Sequence, residues 1–208
     1  MAKIPECDIP RKSLPVIFVV DSSENMLNNG KIADINDWLR DVVEILKESS
    51  KKNADVDLKV GILQFGSECG WLTDGLQPVA EIEYKDLQAG GLPNFSAVLE
   101  ELNHKLSRNE EGFLNFAYGC KMPVIIFITD GMFDDNCEQS LEQLWNNKWF
   151  AHGETIKIGI APDKDANTET LYSVVGKREF VYQLDDNIAL KKIMERSKVV
   201  SKWMCYTD

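Results

Sequence analysis

Two aspartates stand directly after the most apolar stretches of the chain: Asp21 after Leu14 to Val20, and Asp130 after Met122 to Thr129. If those stretches are neighbouring strands of one parallel sheet, the two carboxylates converge on one point above the sheet edge. Two carboxylates at one point attract a cation. Ser23 and Asn25 alternate along the segment Asp21-Ser22-Ser23-Glu24-Asn25 and add a hydroxyl and a carboxamide oxygen. Such an all-oxygen set suits Mg2+, Mn2+ or Ca2+, and it offers no thiolate or imidazole for zinc or copper. The same residue types also serve purely structural ends, because strand-end aspartates, serines and asparagines cap helices or accept N–H groups from turns. Glu24, Asp134 and Asp135 read as solvated charges on the rim of this point.

Other chemistries lack parts. A phosphohydrolase with a strand-end aspartate as nucleophile toward phosphate needs a second carboxylate two residues on, and that position is Ser23. The two histidines, His104 and His152, fall on a helix and in a loop, and Gly66-Ser67-Glu68-Cys69-Gly70 is not a nucleophile elbow. Asn25 to Lys31 fails as a phosphate loop, since the leading glycine is absent and Ile32 stands where Ser or Thr would bind Mg2+. Five cysteines, Cys7, Cys69, Cys120, Cys137 and Cys205, are scattered without zinc spacing and read as reduced thiols. Trp71, Trp145, Trp149 and Trp203 read as packing residues rather than partner anchors.

The elements that must position Asp21 and Asp130 follow from hydrophobic pattern. Leu14 to Val20 and Met122 to Thr129 are continuous β-branched and aromatic runs, as in strands covered on both faces. Ile32, Ile35, Leu39, Val42, Val43 and Leu46 recur at helical spacing and predict a helix from about Lys31 to Ser50. Leu58 to Phe65 is a second buried strand, and the segment after it, ending near Thr73, predicts an edge strand. Phe95, Val98, Leu99, Leu102 and Leu106 place a helix after the turn Ala89-Gly90-Gly91-Leu92-Pro93-Asn94. Further elements are a helix over 138–149, strands over 155–161 and 179–184, a short helix over 168–175 and a last helix over 187–198. This alternation predicts an α/β fold with a mostly parallel sheet flanked by helices on both faces, and it puts a site at the carboxyl ends of the strands where strand order reverses.

Val19-Val20-Asp21-Ser22-Ser23 followed by Met26, together with Phe127-Ile128-Thr129-Asp130-Gly131, resembles the metal-ion-dependent adhesion site of von Willebrand factor type A domains. The resemblance runs from Leu14 to about Lys198 in element order and implies the three-layer Rossmann-like fold of that family, in a single domain over residues 1–208 with a core at about 14–198. It implies metal contacts from Asp21, Ser23 and Asp130, with Asn25 standing where the family has a second serine. Gly90-Gly91-Leu92-Pro93-Asn94 replaces the family's Gly-Gly-Thr, so Asn94 or Ser96 would have to supply the missing oxygen. Mg2+, or Mn2+ or Ca2+ in its stead, is therefore expected to be weakly bound or absent. The resemblance also implies a protein partner that completes the metal's coordination with an acidic side chain. A scaffold whose metal site has decayed is the alternative, and a metal-dependent phosphohydrolase a third. Compact bacterial cytoplasmic members, including those of tellurium-resistance and stress operons, are similar to this chain.

Composition narrows the partners. The 208 residues carry 23 Lys+Arg against 34 Asp+Glu, a net charge of -11, with 44% hydrophobic residues. A polyanion is repelled by that balance, so neither nucleic acid nor an anionic membrane is an expected partner; Lys191 and Lys192 are the only basic cluster of note. No apolar run approaches the ~18 residues that span a bilayer. The amino-terminal residues show no apolar signal region, and a cytoplasmic location is the expectation.

Overall fold

Strands whose every residue is apolar need cover on both faces, and the first run of the chain has it. Residues 14–20 are buried without a break. The computed structural model describes residues 11–52, 56–66, 68–132 and 136–184. In chain order the elements are β1 (Lys12–Asp21), a kinked 3-10 segment (Glu24–Gly30), α1 (Lys31–Lys52), β2 (Val56–Phe65), β3 (Cys69–Trp71), β4 (Gln77–Pro78), α2 (Phe95–Lys105), β5 (Val124–Ile128), α3 (Glu138–Asn146), β6 (Ile156–Ala161), α4 (Thr168–Val175) and β7 (Val181–Gln183). The expected helix over 187–198, Trp203 and the Lys191–Lys192 pair lie outside the described residues.

The strands form one sheet in the order β3-β2-β1-β5-β6-β7, with β4 also beside β2. All pairs from β2 to β7 along that order are parallel, whereas β3 and β4 run antiparallel to β2. β1 and β5 are neighbours as the convergence of their aspartates requires, in a register that sets Val16 opposite Val124 and Val20 opposite Ile128. Strand order reverses between these two strands, since the chain leaves β1 toward β2 on one side and later builds β5, β6 and β7 on the other.

Because side chains alternate across a pleated strand, one strand feeds two cores. Val16, Phe18 and Val20 of β1 and Ile126 and Ile128 of β5 pack with Ile35, Trp38 and Leu39 of α1. Ile17, Val19, Ile125 and Phe127 point the other way, against Phe95 and Val98 of α2, Leu144 of α3 and Leu171 of α4. Helices therefore cover both faces, which is what parallel strands joined by crossover connections demand.

Some boundaries depart from the sequence pattern for local reasons. α3 stops at Asn146 rather than near 149 because the next side chain breaks it. Asn147 Nδ2 donates to the carbonyls of Asn103 and Leu106, and its Oδ1 accepts from the Trp149 N–H. An asparagine that bonds backbone groups in this way offers the chain an alternative to the helix. β4 was not expected at all, since a two-residue strand ending in proline has no hydrophobic pattern to announce it.

Candidate functional site

The site grows from the register of β1 and β5. With Val20 opposite Ile128, the next pair along is Asp21 and Thr129, and Asp130 lies one residue further out. Thr129 Oγ1 donates to Asp21 Oδ2 at 2.7 Å, and the Ser23 N–H donates to Asp21 Oδ1 at 2.9 Å. Thr129 Oγ1 in turn accepts from the Gly131 N–H at 2.9 Å. Asp130 Oδ1 accepts from the Met132 N–H at 3.0 Å, and its main-chain carbonyl from the Asn167 N–H at 2.6 Å. Gly131 takes φ of +68°, and a Cβ there would stand 2.4 Å from the Asn167 carbonyl oxygen, so only glycine fits the turn.

Three loops are laced together around this point. Gly90 N–H donates to the Ser22 carbonyl at 2.8 Å and Glu24 N–H to the Gly91 carbonyl at 2.9 Å, which ties the loop after β1 to the loop before α2. Asn25 Nδ2 donates to the Met132 carbonyl at 3.1 Å, which ties it to the loop after β5. The side chains that hold the interior are deeply buried, with Asp21 and Ser23 at 0% exposure and Asp130 at 1%. Burial pushes the Asp21 carboxyl above the usual carboxylate range; hydrogen bonds from Thr129 and Ser23 oppose that shift, and the charge of Asp130 adds to it. The Ser23 hydroxyl is buried against Asp21 and makes no hydrogen bond of good geometry.

A residue that sequence reasoning passed over occupies the centre of the charge balance. Lys31, the first residue of α1, places Nζ 2.9 Å from Asp130 Oδ2 and 3.2 Å from Asp163 Oδ2. Lys31 is itself buried at 8% exposure. Burial alone would lower its pKa, but the hydrogen bonds and charges of Asp130 and Asp163 outweigh that and hold it above its ordinary value. Asp163 follows β6 by two residues and so reaches the same carboxyl edge as Asp21 and Asp130. Both residues left a trace in the sequence. A lysine in the first helical turn sits where acidic residues are favoured, and Asp163 follows a strand as the other two aspartates do.

The remaining candidates are engaged elsewhere. Asn94 Oδ1 accepts from the Ala97 N–H at 2.9 Å and caps α2, while Ser96 Oγ donates to the Asn136 carbonyl at 3.3 Å. Both bonds lie on the exposed side of α2's start, and the one to Asn94 is spent on the helix cap. Asp134 and Asp135 lie outside the described residues.

The donor set does not fit a divalent ion. Each of the four carboxylate oxygens of Asp21 and Asp130 already accepts a hydrogen bond. Asn25 is committed at the rim, the loop threonine is absent, and a buried ammonium stands on Asp130. Ser23 Oγ, Asn25 Oδ1 and, on the far side of the ammonium, Asp163 Oδ2 accept no hydrogen bond, which is fewer oxygens than the six or more that Mg2+ or Ca2+ requires.

The aromatic residues away from the two aspartates serve packing. Trp145 stacks edge-on to Phe150 with ring centroids 5.1 Å apart, Trp71 to Phe113 at 4.7 Å, and Trp149 is buried. His104 pairs with Glu111 at 3.0 Å on the surface, and His152 Nδ1 accepts from the Glu154 N–H. Cys69, Cys120 and Cys137 form no disulfide with one another. A cleft of about 560 Å³ lies between Trp145, Lys157, Gly176 and Phe180 at the amino end of β6, the opposite edge of the sheet from Asp21 and Asp130.

No family model matches the chain, and no curated protein sequence does. Solved structures do. Proximal thread matrix protein 1 from the mussel byssus superposes with a TM-score of 0.56 at 16% identity, over 89% of this chain and 45% of that one, and has also been solved with zinc occupying its metal-ion-dependent adhesion motif. BatB from Bacteroides thetaiotaomicron gives 0.56 at 13% identity over 91% of this chain and 98% of that one. The manganese-loaded TRAP protein of Plasmodium vivax gives 0.57 at 18% identity over 90% and 73%. The chain thus spans under half the mussel protein and nearly all of BatB. The likeness establishes the fold: a mostly parallel sheet between helices, of the von Willebrand factor type A kind.

Proposed function

We propose that this chain is a protein-binding module whose recognition surface is the platform of three laced loops at the carboxyl edge of the sheet. One observation carries the reading. Of the four large hydrophobic residues exposed among the described residues, three lie on those loops: Leu27 at 56%, Leu92 at 82% and Met132 at 45%. Apolar side chains held in water around a buried polar centre mark an interaction site rather than a fold requirement. The solved neighbours support the reading, since a byssal matrix protein shares the fold.

An acidic partner group, which the sequence resemblance implies, finds no open cation here. The Lys31 charge is spent on Asp130 and Asp163, so apolar contact at Leu27, Leu92 and Met132 carries recognition and shape supplies specificity. Catalysis gains no support from the site. Asp21 is buried with both oxygens bonded, which disarms it as a nucleophile. A cytoplasmic setting, and a role in a bacterial stress or tellurium-resistance system, belong to this proposal on the strength of the sequence resemblance alone.

The test uses Tyr118 as its control. That residue is 64% exposed, but Gly119 beside it accepts from the Ser13 N–H at the start of β1, which puts it at the opposite edge. Proteins captured from the native lysate by the unaltered chain should be retained by Tyr118→Ser and lost with Leu27→Ser/Leu92→Ser. Capture that survives the rim substitutions, or fails equally with Tyr118→Ser, would remove the platform from recognition.

A further inference from the structure

We propose that the Lys31 ammonium is the resident cation of this site, neutralising Asp130 and Asp163 in place of a divalent ion and making the platform independent of metal. The inference concerns how the site is neutralised and does not rest on the partner reading. Asp130 is 1% exposed, and a buried carboxylate without a counter-charge is among the costliest groups a fold can carry. Lys31 meets that need at 2.9 Å and reaches Asp163 with the same nitrogen at 3.2 Å. One tethered cation thus joins the start of α1 to the ends of β5 and β6.

The position of Lys31 argues that its charge is what the site uses. A helix amino terminus carries a partial positive charge, which disfavours a cation in the first turn. Burial at 8% exposure disfavours it again. A lysine that suffers both penalties is held by its two carboxylates. The geometry also works against a metal sharing the site, because a dication directed at Asp130 would meet the ammonium already bonded to Oδ2. Ser23 Oγ and Asn25 Oδ1 are neutral oxygens that do not by themselves hold an ion, and Asp163 Oδ2 faces the same ammonium.

The experiment is metal titration and thermal unfolding of the purified chain, with no partner present, so that its failure is separate from failure of the docking proposal. For the unaltered chain, titration with MgCl2 and with MnCl2 should show no saturable heat, and Tm should be the same in MnCl2 and in chelator. Lys31→Met should lower Tm in chelator by about 10 °C, the scale for a broken buried ion pair in a chain of this size. Lys31→Met/Asp130→Asn, which removes both charges, should recover most of that loss. Saturable Mn2+ binding to the unaltered chain that Asp130→Asn abolishes would overturn the proposal, and so would a Lys31→Met variant as stable as the original. The titration of the unaltered chain decides the metal question even if the single variant does not fold.

Discussion

At the scale of single residues, the chain stores charge where solvent cannot reach it, and pH reads this out. Asp21 titrates above its ordinary value of 3.8 because burial penalises its anion. A carboxyl whose folded pKa is raised stabilises the fold fully below the unfolded pKa, and that contribution is lost as pH rises through the folded value. Denaturant unfolding of Asp21→Asn should therefore show a flatter dependence on pH above 3.8 than the original chain, with higher relative stability toward neutral pH. A steeper dependence in the variant would place the titrating group elsewhere. Cys69 makes a second case. The residue is exposed, yet its thiol borders a crevice with Trp71 and Glu101, and burial, helped by the Glu101 charge, pushes it up to about 11. Alkylation at pH 8 should be slower than for a free thiol by on the order of 30-fold, read by mass spectrometry of the modified peptide. Of this scale the sequence showed the aspartates and not their partner. Asp21 and Asp130 are legible because each ends an apolar run. Lys31 left only its unfavoured place in a first helical turn, since its role depends on an ion pair spanning 99 positions of chain to Asp130.

Secondary-structure elements were far more legible, and physics says why. β1, β5 and α1 are long or strongly patterned, and each buries a complete face, so hydrophobic periodicity and burial carry the same information. The adjacency of β1 and β5 follows from the two aspartates that end them, without knowledge of the register. What escaped was local polar chemistry: the Asn147 side chain that ends α3, the two-residue β4, and the 3-10 segment over Glu24–Gly30, where Asn29 and Gly30 adopt φ of +57° and +76°. In the middle loop, Asn94 and Ser96 read as spare oxygens, but a helix start needs its own cap, and Asn94 serves the Ala97 N–H. Gly131 shows how tightly one turn is specified. Gly131→Ala should destabilise the fold by about 3 kcal/mol, from the left-handed backbone and the contact with the Asn167 carbonyl together. Urea unfolding measures it, and a loss below about 1 kcal/mol would mean that the loop before α4 yields freely.

At the scale of the whole molecule, one sheet separates two cores, and β1 and β5 contribute to both. Stability should concentrate there. Hydrogen exchange is expected to be slowest at the amides of β1, β2 and β5 and faster at β3, β4 and β7, which are short and lie at or near the sheet edges. Phe127→Ala, emptying a fully buried ring site beside Phe150, should cost about 3–5 kcal/mol, checked by the same denaturant series. Protection that was uniform across the sheet would contradict the two-core picture. The lysine that closes the site has a consequence for regulation. A diffusible ion obeys mass action, so a surface that depends on one can be turned off by lowering its concentration in the surroundings. A charge carried on the chain at Lys31 has no such dissociation equilibrium. Control over when this platform engages would then fall to the supply of the chain and of its partner, and fluctuations in the ionic medium would pass it by.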